Sequence, residues 1–208
     1  MTPLTRTSLC MGAVAAVALA FAVSGQAASP AMDTGAPQYT ADGKLIPPAD
    51  YREWVFLSSG IDMSYSERAT APGMHMFDNV FAPRAAYDAF KRTGVWPDKT
   101  VLMLENRGGA TKGSINKAGQ FQTGQVMGAE AHVKDTARFK GGWGFFGGLA
   151  GGKPAALIPY TVDCYSCHEQ HAAADTTFVQ FYPTLLPVAT KLGTLSPAYL
   201  AEEAARPK

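Results

Sequence analysis

Two cysteines and the histidine that directly follows them are the residues of this chain whose spacing points most clearly to chemistry. Cys164 and Cys167 are separated by two residues in the stretch TVDCYSCHEQHAAADTTF, and His168 comes next. On a helix, the two thiols would lie about one turn apart on the same face. Three kinds of site use such residues: a redox-active disulfide, a zinc centre and a covalent haem anchor.

The first two kinds of site make demands that the neighbouring sequence meets poorly. A thioredoxin-like pair needs a strand–helix–strand context and a helix N-terminus that lowers a thiol pKa, and no such alternation surrounds Cys164. A plain disulfide stays open for an exported protein. A structural zinc ion needs four ligands, and the adjacent Cys167 and His168 cannot easily point at one tetrahedral centre.

The pattern C-x-x-C-H is the arrangement that c-type haem requires. In such a site the two thiols add to the haem vinyl groups, and the histidine binds the iron from one side. We therefore predict one covalent haem c on Cys164 and Cys167, with His168 as the iron ligand. A sixth ligand stays open, because several Met and His residues are available, namely Met63, Met74, Met76, Met103, Met127, His75 and His132.

The N-terminal residues predict export from the cytoplasm. Arg6 precedes an apolar run over residues 11–23, and small residues at the spacing that a signal peptidase recognises follow this run. Residues 1–27 are therefore interpreted as a signal peptide. The run is shorter than the roughly 20 residues that a membrane-spanning helix needs, so no membrane anchor is expected after cleavage. The predicted location is the bacterial periplasm, where covalent haem attachment takes place.

The composition is that of an ordinary globular domain. The chain has 208 residues, a formal net charge of +1 and 17% charged residues. This balance provides no basic surface of the kind that nucleic acids select, so no nucleic-acid partner is expected. Residues 28–46 are rich in Ala, Pro, Gly and Thr and are predicted to be a flexible leader. Residues 47–208 are predicted to form one haem domain.

Segments with strand character come first in the chain, and segments with helical character come last. Pro83 and Gly94 are the expected start and stop signals of a helix between two strands. Gly124 and Gly128 interrupt a later strand and indicate bulges or a close approach of another group. The pattern predicts an α+β fold with a mainly antiparallel sheet and C-terminal helices that carry the haem motif. The predicted strands cover residues 74–82, 99–107 and 120–133.

The chain resembles the cytochrome P-460 family, which includes the related cytochrome c′-beta proteins, over roughly residues 46–190. The matching stretches are YREWVFL, AYDAFKRTGVWPDKTV, MGAEAHVKDTARF, GWGFF and CYSCHEQHAAADTTFVQFYPTLL. The resemblance implies a mainly antiparallel β fold, a homodimer, and a single five-coordinate haem.

At one position the sequence departs from the hydroxylamine-oxidising members that it resembles. In those members a lysine in the strand after the WPD turn is cross-linked to the porphyrin, and Leu104 stands there in this chain. Lys99, Lys112 and Lys117 are not aligned with that lysine. The resemblance therefore implies an undistorted haem, as in the c′-beta branch, whose apolar pocket binds nitric oxide or carbon monoxide.

Two carboxylates are candidate catalytic residues. Asp78 stands near the position of a distal arginine of the hydroxylamine oxidisers, and strand alternation places it on one face with Met76 and Val80. It either accepts a proton from bound hydroxylamine or is a solvated or N-cap-like carboxylate, which the usual exposure of Asp favours. Glu130 matches a family glutamate and is either a pocket base or a buried, paired structural acid.

Together these features predict an exported monohaem c-type cytochrome with an open iron face. It would bind or oxidise a small nitrogen species such as hydroxylamine or nitric oxide, and would pass electrons to a partner cytochrome. Leu104 weakens the expectation of hydroxylamine oxidation. The alternatives are a non-enzymatic gas binder and a simple electron carrier whose iron has a Met or His sixth ligand.

Overall fold

The computed structural model describes residues 35–63 and 74–207. The predicted signal peptide and the first residues of the predicted leader lie outside this part of the chain. No helix among the described residues is long and apolar enough to cross a membrane. The strands are β1 (Gln38–Tyr39), β2 (Leu45–Ile46), β3 (Val55–Ile61), β4 (Met76–Ala82), β5 (Val101–Ala110), β6 (Phe121–Lys134) and β7 (Trp143–Phe146), and the helices are α1 (Arg84–Thr93), α2 (Cys164–His171), α3 (Leu186–Leu192) and α4 (Pro197–Ala205).

The main sheet is a five-stranded antiparallel meander in the order β3-β4-β5-β6-β7. Each strand pairs with its neighbour in sequence, because short connections favour pairing of consecutive strands. Three of the four helices follow the last strand. The predicted α+β class, with an antiparallel sheet and helices towards the C-terminus, is confirmed.

Helix α1 begins and ends where its predicted start and stop residues, Pro83 and Gly94, stand. Pro83 precedes the first helical residue, and Gly94 ends the helix with a φ of 73°, a left-handed conformation that glycine adopts without strain. The helix buries Phe90, whose ring centroid lies 4.6 Å from that of Trp96. This contact fixes the turn that leads from α1 into β5.

The two faces of the sheet bury separate clusters of apolar side chains. Successive residues of a strand point to opposite faces, so Leu102 packs on one side of β5 while Met103 packs on the other. The face that carries Leu102 is covered by the helices. The cluster on that face includes Leu57, Phe90, Trp96, Phe145, Val179 and Leu185.

The structure differs from the predicted flexible leader over residues 38–46. Strands β1 and β2 pair with each other. The side chain of Leu45 is fully buried in the apolar cluster on the face of the sheet that carries Met103, here called the second apolar cluster, which also includes Val133 and Phe146. The backbone of Leu45 also exchanges two hydrogen bonds with Ala155, at 2.8 and 3.0 Å. This segment is mostly polar, but it contains Leu45, which is fully buried. The free energy gained by burying Leu45 helps to offset the entropy lost when the neighbouring residues become ordered.

Candidate functional site

A cavity of about 570 Å³ lies between helix α2 and the main sheet. Its volume falls within the range of roughly 300 to 1,000 Å³ that is typical of ligand pockets. One wall is formed by α2, and the opposite wall by strands β3 to β6. The lining includes Gly60, Met63, Met76, Asp78, Val80, Leu102, Leu104, Asn106, Glu130, His132, Phe145, Cys164, Cys167, His168, Phe178 and Phe181.

Helix α2 brings Cys164, Cys167 and His168 together on the cavity wall. These residues occupy positions i, i+3 and i+4 of one helix, so their side chains share a face. The first turn of the helix is closed by the hydrogen bond from Cys167 N–H to the carbonyl of Asp163, at 2.9 Å. Local helix geometry is therefore sufficient to assemble this part of the site.

No disulfide bond joins Cys164 and Cys167. Burial raises the pKa of the Cys164 thiol, with a further contribution from the charge of Glu130, and burial also raises the pKa of the Cys167 thiol. A redox-active pair needs the opposite shift, towards the thiolate. In the part of the chain that the structure describes, no group of three or more His, Cys, Asp or Glu side chains could hold a metal ion, so a zinc centre has no ligand set there.

His168 is held as a neutral imidazole with a defined orientation. Its Nδ1–H donates a hydrogen bond of 2.9 Å to the carbonyl oxygen of Thr176, which leaves Nε2 as the nitrogen with a lone pair. Burial lowers the pKa of His168 to about 4, against the opposing effect of the Thr176 carbonyl. An iron ligand must be a neutral imidazole, so this side chain, directly after the second cysteine of the pair, fits haem c.

Three aromatic rings fix the plane of the His168 ring. The centroids of Phe178, His132 and Phe145 lie 4.2, 4.6 and 4.8 Å from the centroid of His168. The ring of His132 contacts that of His168 edge to face, at 87°. Two imidazoles on opposite faces of a haem would have the macrocycle between them, so His132 does not lie where a sixth ligand would.

The sheet wall is assembled by the register of three strands. Asp78 of β4 pairs with Asn106 of β5, and Leu104 of β5 pairs with Glu130 of β6. Because these residues alternate with residues of the other face, all four line the cavity. The Asn106 amide donates a hydrogen bond of 2.6 Å to the Asp78 carboxylate. Asp78 therefore lies on the cavity wall, half-buried.

Gly128 gives Asn106 the space to reach this position. A Cβ atom on Gly128 would lie 2.8 Å from the side-chain oxygen of Asn106, which is closer than side chains tolerate. The strand register shifts directly after Asn106, between it and Arg107. This is the bulge and close approach that a glycine inside the strand predicted.

The two carboxylates of the sheet wall have raised pKa values. Burial raises the pKa of Asp78, the hydrogen bond from Asn106 opposes this, and the charge of Asp62 adds to it. Burial also raises the pKa of Glu130, and the charge of Asp78 raises it further. The solvent-exposed surface of Glu130 forms part of the cavity wall. Each carboxylate is thus easier to protonate than one on the outer surface.

Some of the Met and His residues that were considered as sixth ligands line the cavity, and others do not. Met63, Met76 and Met103 are among the residues that line it, although the Met103 side chain is fully buried in the second apolar cluster, on the other face of β5. His75 instead pairs with Asp62, with 2.7 Å between Nδ1 and the carboxylate. Met74, Met127 and His171 are not among the residues that line the cavity.

Leu104, which the sequence analysis predicted to stand in place of the cross-linking lysine, lies on the cavity wall. Lys99 ion-pairs with Asp135 and, like Lys112 and Lys117, does not line the cavity. Sequence reasoning did not single out Asn106 or Thr176. Asn106 could have been found by stepping two residues along β5 from Leu104, whereas nothing in the sequence marks a backbone carbonyl.

Comparison with known protein families gives one match. The family model described as cytochrome P460 matches residues 48–179, which is more than half of the chain. The matched range contains the strands of the main sheet and all of α2. A search of curated proteins gives no significant match.

Proposed function

Because the chain belongs to the cytochrome P460 family and is therefore a haem c cytochrome, we propose that it binds and oxidises small nitrogen species, with hydroxylamine first among them. The observation that carries this proposal is the cavity itself. It combines the haem-binding motif on one wall with two carboxylates, Asp78 and Glu130, on the other.

In this proposal, α2 supplies the attachment of the haem. Cys164 and Cys167 form the two thioether bonds, and Nε2 of His168 binds the iron. The bound iron would provide a coordination site for the nitrogen ligand and would accept electrons from it. Thr176 holds His168 in the orientation that this ligation needs, because its carbonyl fixes Nδ1–H.

The sheet wall in turn provides groups that can take up protons. Oxidation of hydroxylamine releases protons together with electrons, so a base close to the bound ligand assists it. Burial brings the pKa values of Asp78 and Glu130 closer to neutral pH, where a carboxylate is a more effective base. Asn106 orients the Asp78 carboxylate through its amide hydrogen bond.

A second candidate function is reversible binding of nitric oxide or carbon monoxide. The observation that favours it is the apolar part of the same wall, where Leu104 of β5 pairs with Val80 of β4. A third candidate is electron transfer alone, which would require Met63 or Met76 to bind the iron as sixth ligand. Both methionines line the cavity, whereas the Met103 side chain packs in the apolar cluster on the other face of the sheet.

One set of experiments separates the three functions. The absorption spectrum of the reduced wild-type protein should show high-spin, five-coordinate haem, and hydroxylamine should be turned over with an artificial electron acceptor. A low-spin spectrum that becomes high-spin in Met63→Leu or Met76→Leu would establish an electron carrier instead. Binding of nitric oxide without any hydroxylamine turnover would establish a gas binder.

Three further properties belong to the proposal. Residues 1–27 direct export to the periplasm, a partner cytochrome accepts the electrons, and the protein is a homodimer. The support is the apolar N-terminal run, the redox chemistry and the family resemblance. N-terminal sequencing of the protein from the periplasmic fraction, and its mass by light scattering, test export and dimer formation.

A further inference from the structure

An ion pair between the end of β6 and the segment after α2 holds the residues that orient His168. Lys134, at the end of β6, contacts the Asp175 carboxylate with its ammonium group at 2.7 Å, and each side chain is 14% exposed. Lys134 lies four residues after Glu130 on the same strand. Asp175 directly precedes Thr176, whose carbonyl accepts the hydrogen bond from His168.

The backbone of this segment has a conformation that its own residues do not favour. Asp175 and Thr176 have φ values of 49° and 57°, so two successive residues other than glycine are left-handed. Such a conformation persists only where the surrounding structure enforces it. A β-branched residue such as Thr176 is especially unfavourable there.

The Asp175 carboxylate supplies much of that enforcement. Besides Lys134, it accepts hydrogen bonds from the backbone N–H of Trp96 at 2.8 Å and from the indole N–H of Trp143 at 3.4 Å. Lys134 also donates to the carbonyl of Trp96, at 2.7 Å. The indole N–H of Trp96 donates to the hydroxyl of Thr177 at 2.9 Å, so both ends of the left-handed segment are held.

From these contacts we infer that Lys134 and Asp175 are positioning residues for the iron ligand: their ion pair keeps the Thr176 carbonyl against Nδ1–H of His168 and so sets the donor strength of that imidazole. The inference rests on the proposed haem attachment. A hydrogen bond from Nδ1–H makes the imidazole a stronger donor to a metal. A stronger donor favours ferric iron and stiffens the iron–histidine bond.

Two substitutions test the inference, since charge and position predict different results for them. Lys134→Met keeps the apolar stem of the side chain, and Asp175→Asn keeps its shape and its tolerance of a left-handed backbone. Loss of a nearby positive charge alone would lower the reduction potential of the haem, and loss of a negative charge alone would raise it. Loosening of the Thr176 carbonyl would raise the potential in both variants.

The measurements are the reduction potential and the iron–histidine stretching frequency in the resonance Raman spectrum of the reduced holoprotein. We expect a higher potential and a lower frequency in both variants, and a double variant that shifts the frequency no further than either single one. Lys99→Met is the matched control, because Lys99 is an ion-paired lysine at the same end of the sheet that contacts Asp135 instead. It should leave the frequency unchanged.

Opposite shifts of the potential with an unchanged frequency would overturn the inference, because charge alone would then explain the result. If Lys134→Met does not accumulate with haem, the frequency of Asp175→Asn decides, since a change of charge without movement of Thr176 leaves it unaltered. Failure of the proposed function looks different. In that case, the wild-type protein would still give its iron–histidine band but would not turn over hydroxylamine.

Discussion

The helical wall and the sheet wall of the cavity differ in how their residues come together. On α2, Cys164, Cys167 and His168 are neighbours in sequence, and one turn of helix is enough to align them. On the sheet, Asp78 and Glu130 are 52 residues apart in sequence. Only the register of β4, β5 and β6 makes them neighbours.

This difference separates two properties of the protein. Haem attachment depends on local geometry and is robust, because a helix fixes the positions of the motif residues. In the proposed site, the chemistry at the iron depends on strand register, because a slip by one residue would move every side chain to the other face. Changes to the helical wall should therefore abolish function, whereas changes to the sheet wall should tune it.

The largest effect is expected for His168→Ala, which removes the proposed iron ligand from the helical wall. The thioether bonds should keep the haem in place, whereas hydroxylamine turnover should fall to the background rate. Added imidazole should restore part of the activity and of the wild-type absorption spectrum. His171→Ala is the matched control, because His171 is exposed and contacts Glu202 at 3.2 Å outside the cavity. Full activity of His168→Ala would contradict its assignment.

On the sheet wall, Asp78→Asn should reduce hydroxylamine turnover on the order of 10²-fold, the lower end of what a general base contributes. Nitric oxide binding should change little, since it needs no base. Asp88→Asn, on exposed α1, is the control and should keep wild-type turnover. An unchanged rate in Asp78→Asn would leave Asp78 as a structural residue and favour the gas-binding function.

The same variant makes a prediction about pH. A base is active when deprotonated, so turnover of the wild-type protein should fall as the pH decreases through the raised pKa values of Asp78 and Glu130. In Asp78→Asn, the charge that raises the pKa of Glu130 is gone. The remaining acidic limb of the pH–rate profile should therefore move to lower pH. A limb that stays in place would show that Glu130 does not control it.

The face of the sheet that points away from the cavity offers a contrast, because its carboxylate serves stability. Glu105 is 1% exposed. Burial opposes its ionisation, yet hydrogen bonds from Tyr51, Arg107 and Arg52 hold the pKa of Glu105 below its usual value. A carboxyl group with a lowered pKa stabilises the folded state above its ordinary pKa, and this stabilisation is lost as the pH falls through the lowered value.

Glu105→Gln should accordingly lower the free energy of unfolding by about 1 to 3 kcal/mol at neutral pH, the cost of disrupting a buried hydrogen-bond network. The loss of stability towards acid pH should be smaller in the variant than in the wild type. Chemical denaturation at several pH values measures both. The haem spectrum should not change, and an altered spectrum would show that the two faces are not independent.

The smallest effect is expected for Leu104→Lys, which introduces an amine into the sheet wall. Because Leu104 pairs with Glu130, the ammonium group should lower the pKa of that carboxyl group. The acidic limb of the pH–rate profile should move accordingly, and Leu104→Met controls for side-chain length. A red-shifted Soret band would additionally report a cross-link between the new lysine and the haem.

The parts of the structure that could be predicted from sequence are those that depend on short-range patterns. The aromatic and branched residues of 74–82 predicted β4, and Pro83 and Gly94 predicted both ends of α1. The C-x-x-C-H motif predicted the helical wall. Each of these signals lies within about ten residues, where backbone geometry alone decides the outcome.

The remaining features depend on contacts that are distant in sequence. Leu45 is the fully buried residue of β1 and β2, and only its packing against the sheet gives that mostly polar segment its structure. Asn106 reaches Asp78 because a glycine faces it on the next strand. The Thr176 carbonyl is a backbone group, so its contact with His168 leaves no trace in residue types.

The central claim is that one haem is bound covalently through the cysteines of α2. Its most direct test is the intact mass of the denatured, purified protein, compared with that of a Cys164→Ala, Cys167→Ala double variant. We predict the mass of the processed polypeptide plus one haem for the wild type, and the mass of the polypeptide alone for the variant. A wild-type mass without haem, after expression in cells that mature c-type cytochromes, would contradict the account.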